Sequence, residues 1–162
     1  MDPMEILIDI RKIVRSINLE SKKIQKDFGI SIPQLLCLRY LSKQDNYQST
    51  VSGLMKFLSL NSSTITGIIN RLESKSLVAR LPKMGDKRIT YVSLTSKGSK
   101  LLKEAPEILH DQLSKKIKSL SDQKLHSIKE SLDIIISAMG LEAMDASPIV
   151  TIDDHLNLNS ES

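Results

Sequence analysis

Residues 61–98, NSSTITGIINRLESKSLVARLPKMGDKRITYVSLTSKG, constrain this chain more than any other stretch. Asn61 is followed by Ser62, Ser63 and Thr64, and then by Ile65, Ile68, Ile69 and Leu72 at helical spacing. Two runs rich in β-branched residues come next, 78–82 and 89–94, joined by Lys83-Met-Gly-Asp-Lys-Arg88 with Gly85-Asp86 at the bend. A helix whose first turn carries short hydroxyl side chains suits the base edges of duplex DNA. A basic hairpin tip suits phosphates or the minor groove. The helix before it, over about 51–58, is separated from Asn61 only by the turn Ser59-Leu60-Asn61. Two helices on so short a turn, followed by a hairpin, predict a winged helix-turn-helix.

The remaining sequence divides around that motif. A stripe of Ile6, Ile10, Ile13, Ile17 and Ile24, widened by Leu7 and Val14, predicts one long helix over 6–28, with Gly29 as its C-terminal cap. Ser31 and Gln34 stand at capping-box positions for a second helix, which runs to about Ser42. KQDNYQS then reads as a break, and Ser49 or Thr50 as the cap of the next helix. Thr95 caps a helix in which Pro106 should force a kink or a restart. Ser121-Asp122 opens the last helix, with Leu125, Ile128, Leu132, Ile135 and Met139 on one face.

The expected organisation is therefore mainly α with a small β-hairpin wing. Residues 1–30 form an N-terminal helix, 31–95 the winged helix-turn-helix, 96–139 the C-terminal helices, and 140–162 an acidic tail expected to be loop or disorder. Both terminal segments carry apolar stripes for which the sequence offers no obvious intrachain partner.

Composition narrows the function. The chain of 162 residues carries a net charge of +4, yet five acidic residues and no Lys or Arg follow Met139. The body is thus more basic than the whole, which suits a polyanionic partner. Three Tyr, two Phe and no Trp argue against stacking on single strands. A single Cys excludes an intrachain disulfide. No apolar run approaches a membrane span and the N-terminus lacks a basic signal-peptide start, so the cytoplasm is the expected compartment. No nucleophile–base set, phosphate loop or metal spacing is present in the sequence, and neither an enzyme nor a cofactor is expected.

The pattern SSTITGIINRLE at 62–73, the strand entry LVAR at 77–80, the wing sequence DKRITYVSLTSKG at 86–98 and long helices on both sides together resemble the MarR family of bacterial transcription regulators. The resemblance covers about residues 6–139. It implies a homodimer whose terminal helices interlock, with two winged domains reading a pseudo-palindromic site at half-sites about 10 bp apart. It also implies repression by occupying a promoter, relieved by a small effector. A regulator without a small ligand, controlled by a partner protein or by abundance, is the alternative. The family has Gly where Ser76 stands, so the end of the recognition helix is left open.

What the resemblance implies for single residues is specific. Asn61, Ser62, Ser63, Thr64 and Thr66 lie in the first turns of the recognition helix, Gly67 allows close backbone approach, and Asn70 and Arg71 sit one turn on. In the wing, Arg88 should enter the minor groove, Asp86 should orient the wing, and Lys83 and Lys87 should meet phosphates. APEIL at 105–109 and DASP at 145–148 are similar to a branch associated with osmolyte genes, which would make osmotic state the signal.

Several residues carry a blander reading beside the sharper one. Cys37 is expected as a small core residue rather than a thiol sensor. His110, His126 and His155 are expected on the surface rather than at a metal. Arg11, Lys12 and Arg15 read as the wet face of a helix before they read as anchors for an anionic effector. The tail reads as a plain terminus before it reads as a mask for the basic surface.

Overall fold

The structure, a computed structural model, describes residues 2–81, 85 and 89–144. The order of elements among them is α1 (Pro3–Phe28), α2 (Ile32–Ser42), β1 (Gln48–Thr50), α3 (Val51–Leu58), α4 (Ser62–Ser74), β2 (Val78–Arg80), β3 (Tyr91–Leu94), α5 (Ser96–Glu104), α6 (Leu109–Lys118) and α7 (Asp122–Ala138). The chain divides into two compact units between Ala105 and Pro106.

In the first unit, α1 begins three residues earlier than the apolar stripe suggests. Asp2 accepts from the Met4 N–H at 2.9 Å and Pro3 occupies the first helical position, where a missing N–H costs nothing. Gly29 ends the helix in the left-handed region at φ +66°. Ile24 is buried and Ile10 and Ile17 are half-buried, whereas Ile6, Leu7, Ile13, Val14 and Leu19 are exposed. One end of the apolar stripe is thus seated within the unit and the rest is open.

α2 is the centre of the winged domain. The Ser31–Gln34 capping box is present, with the Ser31 N–H donating to Gln34 Oε1 at 3.0 Å. Beyond the cap, Leu35, Leu36, Cys37, Leu38 and Leu41 are all buried. A helix apolar on every side needs neighbours on every side, and α2 has them in α1, α3, α4, α5 and β3. Tyr40 stacks on Phe57 of α3 with ring centroids 4.4 Å apart. Burial pushes the Cys37 thiol up from its ordinary 9.0 to about 12. The folded thiol keeps its proton where the unfolded one has lost it. Its contribution to stability is therefore intact below pH 9 and lost as pH rises from 9 towards 12. At pH 8 the native protein should leave Cys37 unmodified by a water-soluble thiol reagent, and denaturant should expose it; rapid native labelling would return the sensor reading.

The segment read as a break contains structure. A 3-10 turn at Asp45–Tyr47, with Asn46 and Tyr47 at positive φ, leads into β1. β1 pairs antiparallel with β3, Ser49 opposite Val92, and β2 pairs with the other side of β3, Ala79 opposite Ser93. The wing is therefore rooted in a three-stranded sheet, order β1-β3-β2, and not in a two-stranded hairpin alone. Among the described residues the strands are also shorter than the β-branched runs: Leu81, Ile89 and Thr90 lie outside them. Thr50 rather than Ser49 caps α3, accepting from the Gly53 N–H at 3.0 Å.

α4 ends without glycine. Ser76 adopts φ +58°, its N–H donates to the Glu73 carbonyl at 2.8 Å, and the Leu77 N–H donates to the Leu72 carbonyl at 2.9 Å. That is a Schellman ending with Ser in the left-handed position. A side chain there costs roughly 1 kcal/mol or somewhat more. Ser76→Gly should therefore raise unfolding stability by about 1 kcal/mol in a urea titration, offset in part by the freer unfolded chain. A loss of stability would show that the Ser76 side chain holds something of its own.

α5 starts at Thr95, whose hydroxyl accepts from the Gly98 N–H at 3.1 Å and donates to the Ser76 carbonyl at 2.7 Å. The chain does not continue as one helix through Pro106. Ala105, held extended (φ −70°, ψ 133°) by the following proline, ends α5.

In the second unit, Asp111 closes the start of α6 by accepting from the Ile108 N–H at 3.3 Å. α7 spans 17 residues; Ile128, Leu132, Ile134 and Ile136 on it are exposed, as is Met139 at its C-terminal cap. The acidic tail beyond 144 lies outside the described residues.

Candidate nucleic-acid interface

α3 and α4 form the helix-turn-helix. Ser59 turns the chain in the left-handed region at φ +53°, and the Leu60 N–H reaches back to the Met55 carbonyl at 3.1 Å. Asn61 then caps α4: its Oδ1 accepts from the Thr64 N–H at 2.9 Å and from the Ser63 hydroxyl at 2.8 Å. A cap of this kind contributes about 1 kcal/mol. Ile65, Ile68, Ile69 and Leu72 are buried and fix the helix's rotation about its axis.

That rotation presents the other face. Ser62, Ser63, Thr66 and Asn70 are exposed, at spacings of three and four that place them along one side. Thr64, Gly67 and Arg71 are half-buried at the margins. The eight candidate residues of α4 and its cap are thus on one element, but their roles divide. Asn61 is the cap and Ser63 is engaged with it, so both help to build the helix end. Nothing lies within 4 Å of where a Cβ on Gly67 would stand, so space around it within this chain does not demand glycine. The first-turn N–H groups of α4 are a natural seat for a phosphate.

β2 and β3 lead into and out of the wing. Gly85 is in the left-handed region at φ +76°, in keeping with a bend there. Lys83, Asp86, Lys87 and Arg88 lie outside the described residues, as do His155 and the DASP segment.

Sequence reading passed over Arg80, the last residue of β2. Its guanidinium is paired with Glu73 of α4 and donates from Nη2 to Asn70 Oδ1 at 2.6 Å. The signal available in the sequence was only a basic residue at the strand's end, and its two partners lie seven and ten positions away.

The remaining candidates are more ordinary. Lys12 pairs with Asp9 at 2.9 Å, and Arg11 Nε turns back to its own helix at the Leu7 carbonyl, 3.4 Å away. Arg11, Arg15 and Lys22 line a groove in company with Ile10 and Val14, all of them on α1. His126 Nδ1 lies 3.2 Å from the Asp122 carbonyl and His110 sits beside Asp111. Among the described residues no group of three or more His, Cys, Asp or Glu could hold a metal, and no helix is long and apolar enough to cross a membrane.

A short-turned helix pair, a polar-faced second helix and a three-stranded sheet define a winged helix-turn-helix protein, of the DNA-binding transcription-regulator class. Residues 30–90 match the model of the MarR family. It is 25% identical over 134 residues to the uncharacterized HTH-type transcriptional regulator YsmB of Bacillus subtilis (strain 168), covering 80% of this chain and 90% of that one. It is 23% identical over 114 residues to the HTH-type transcriptional repressor IacR of Pseudomonas putida, covering 70% and 67%. In structure it is similar to the S. aureus MepR–DNA complex, with a TM-score of 0.60 at 23% identity over 80% of this chain and 94% of that one. Both of these curated relatives are named as HTH-type transcriptional regulators or repressors.

Proposed function

We propose that this protein is a homodimeric repressor that occupies a pseudo-palindromic operator. The observation that carries the reading is the division of α4: four buried aliphatics on one side, and Ser62, Ser63, Thr66 and Asn70 exposed on the other. Short polar side chains on a rigidly seated helix are what the major groove accepts. In this reading the α4 N-terminus meets a phosphate and its exposed face meets base edges. Lys83 and Lys87 meet phosphates, Arg88 enters the minor groove and Asp86 orients it.

The dimer is supported by the two apolar stripes. Ile6, Leu7, Ile13 and Val14 on α1, and Ile128 and Leu132 on α7 with Met139 at its cap, are exposed in the single chain. Aliphatic surface of that extent, repeated at helical spacing, favours burial against a second copy. IacR, a relative named as a repressor, supports the sign of regulation. MepR, a structural relative captured on DNA, supports the mode of docking. Relief would come from a small effector that binds one dimer shape better than another, since a ligand shifts an equilibrium only by its difference in affinity. Osmolyte genes as targets rest on the APEIL segment alone among the described residues.

The test is retention of fragmented genomic DNA from the protein's own organism at physiological salt, followed by sequencing. Enrichment of a short palindrome upstream of a few operons is expected. Retention without a motif would leave only the electrostatic attraction of a basic body for phosphate and would remove the sequence-specific reading.

A further inference from the structure

Asn70 is exposed on the polar side of α4, but its side chain is held. Arg80 reaches it from β2: Nη2 donates to Asn70 Oδ1 at 2.6 Å, Nη1 donates to Glu73 Oε2, and the Arg80 backbone N–H donates to Glu73 Oε1 at 3.2 Å. Glu73 stands three residues after Asn70, so one planar guanidinium bridges two neighbours on a single flank of the helix. Glu73 uses both carboxylate oxygens and balances the charge of Arg80.

A guanidinium only donates, so the Asn70 atom that faces it is the carbonyl oxygen. The amide is thereby prevented from flipping, and its NH2 is the end left to approach a ligand. An unrestrained Asn reads adenine best, by donating to N7 and accepting from N6–H. That mode needs Oδ1 on the base edge, where one lone pair is already taken by a charge-assisted bond and the base amino group would have to share the oxygen with the Arg80 guanidinium.

We infer that Arg80 is a positioning residue that makes Asn70 a donor, so that Asn70 selects a keto base, guanine through O6 or thymine through O4, at one position of each half-site. The amino bases adenine and cytosine present donors at that place and are disfavoured, adenine keeping only a single bond through N7. The inference rests on the proposed docking of α4 in the major groove.

The experiment selects bound sequences from randomised duplexes with the parent protein, Asn70→Ala and Arg80→Lys, with folding checked by thermal unfolding and the salt dependence of affinity measured for each. Asn70→Ala should erase a keto preference of about fivefold or more at one position per half-site. Arg80→Lys retains a cation for Glu73, but one ammonium lacks the fork that holds both partners. The same position should then shift towards adenine, with the other positions and the salt slope unchanged. If Arg80→Lys does not fold, Glu73→Gln loosens the same clamp and should relax the same position. An unshifted preference in the loosened variant would overturn the inference, as would an amino base at that position in the parent. Equal weakening of all sequences by Asn70→Ala would make Asn70 a phosphate contact and overturn it too. A parent that selects no motif would instead remove the sequence-specific reading, and this inference with it.

Discussion

Gly98→Ala should lower the stability of the fold by about 1–3 kcal/mol, although Gly98 sits in a helix where alanine is ordinarily the better residue. Helix propensity alone predicts a gain of about 1 kcal/mol. Packing opposes it. A Cβ on Gly98 would stand 2.3 Å from the Leu77 carbonyl oxygen and 2.7 Å from a Leu94 methyl. The carbonyl is the harder obstacle, because it is backbone and already accepts from the Thr95 N–H at 3.1 Å. Relief would require moving α5 off the start of β2, and overpacking of this kind costs about 1–3 kcal/mol. Denaturant unfolding with an unchanged slope would report it as a shifted midpoint. A midpoint at or above the parent's would mean that α5 is seated less tightly than its contacts indicate.

Arg88→Ala should weaken binding to the selected operator by about 1–3 kcal/mol, roughly 5- to 150-fold, if it makes the specific groove contact proposed for it. The proposal rests on the DKRITYVSL pattern, and Arg88 lies in sequence between β2 and β3. Fluorescence anisotropy on a labelled operator at fixed salt would measure the loss. Unchanged affinity would take the wing out of the proposed interface and leave α4 to account for recognition. Lys83→Ala and Lys87→Ala provide the contrast: a phosphate contact should weaken all sequences alike and reduce the salt slope by about one each.

Much of the framework was legible because it is written in local signals. Gly29, the Ser31–Gln34 pair, Asn61 and Thr95 each mark a helix end through bonds to residues within four positions. The inner face of α4 was legible for the same reason, since Ile65, Ile68, Ile69 and Leu72 report a period. What escaped depends on partners far along the chain. β1 has three residues, too few to show an alternation, and it becomes a strand only by pairing with β3 some forty positions later. Ser76 could be read as an anomaly but not resolved, because the balance between strain and the Thr95 hydroxyl on its carbonyl is tertiary. Arg80 looked like one more basic residue beside the wing. Its significance comes from the way β2 turns back along α4, which no spacing in the sequence specifies.

Thr50 serves two elements at once. It is the last residue of the edge strand β1, opposite Tyr91, and the side-chain cap of α3. The next amide, Val51, donates to the Thr90 carbonyl at 3.1 Å, and Gly53 donates to the Thr50 hydroxyl at 3.0 Å. The edge of the sheet therefore cannot peel away while the first turn of α3 stays closed. In amide exchange the Val51 and Gly53 protons should be released together, as one cooperative opening. The wing's root and the helix that precedes the recognition helix would then share a single lifetime.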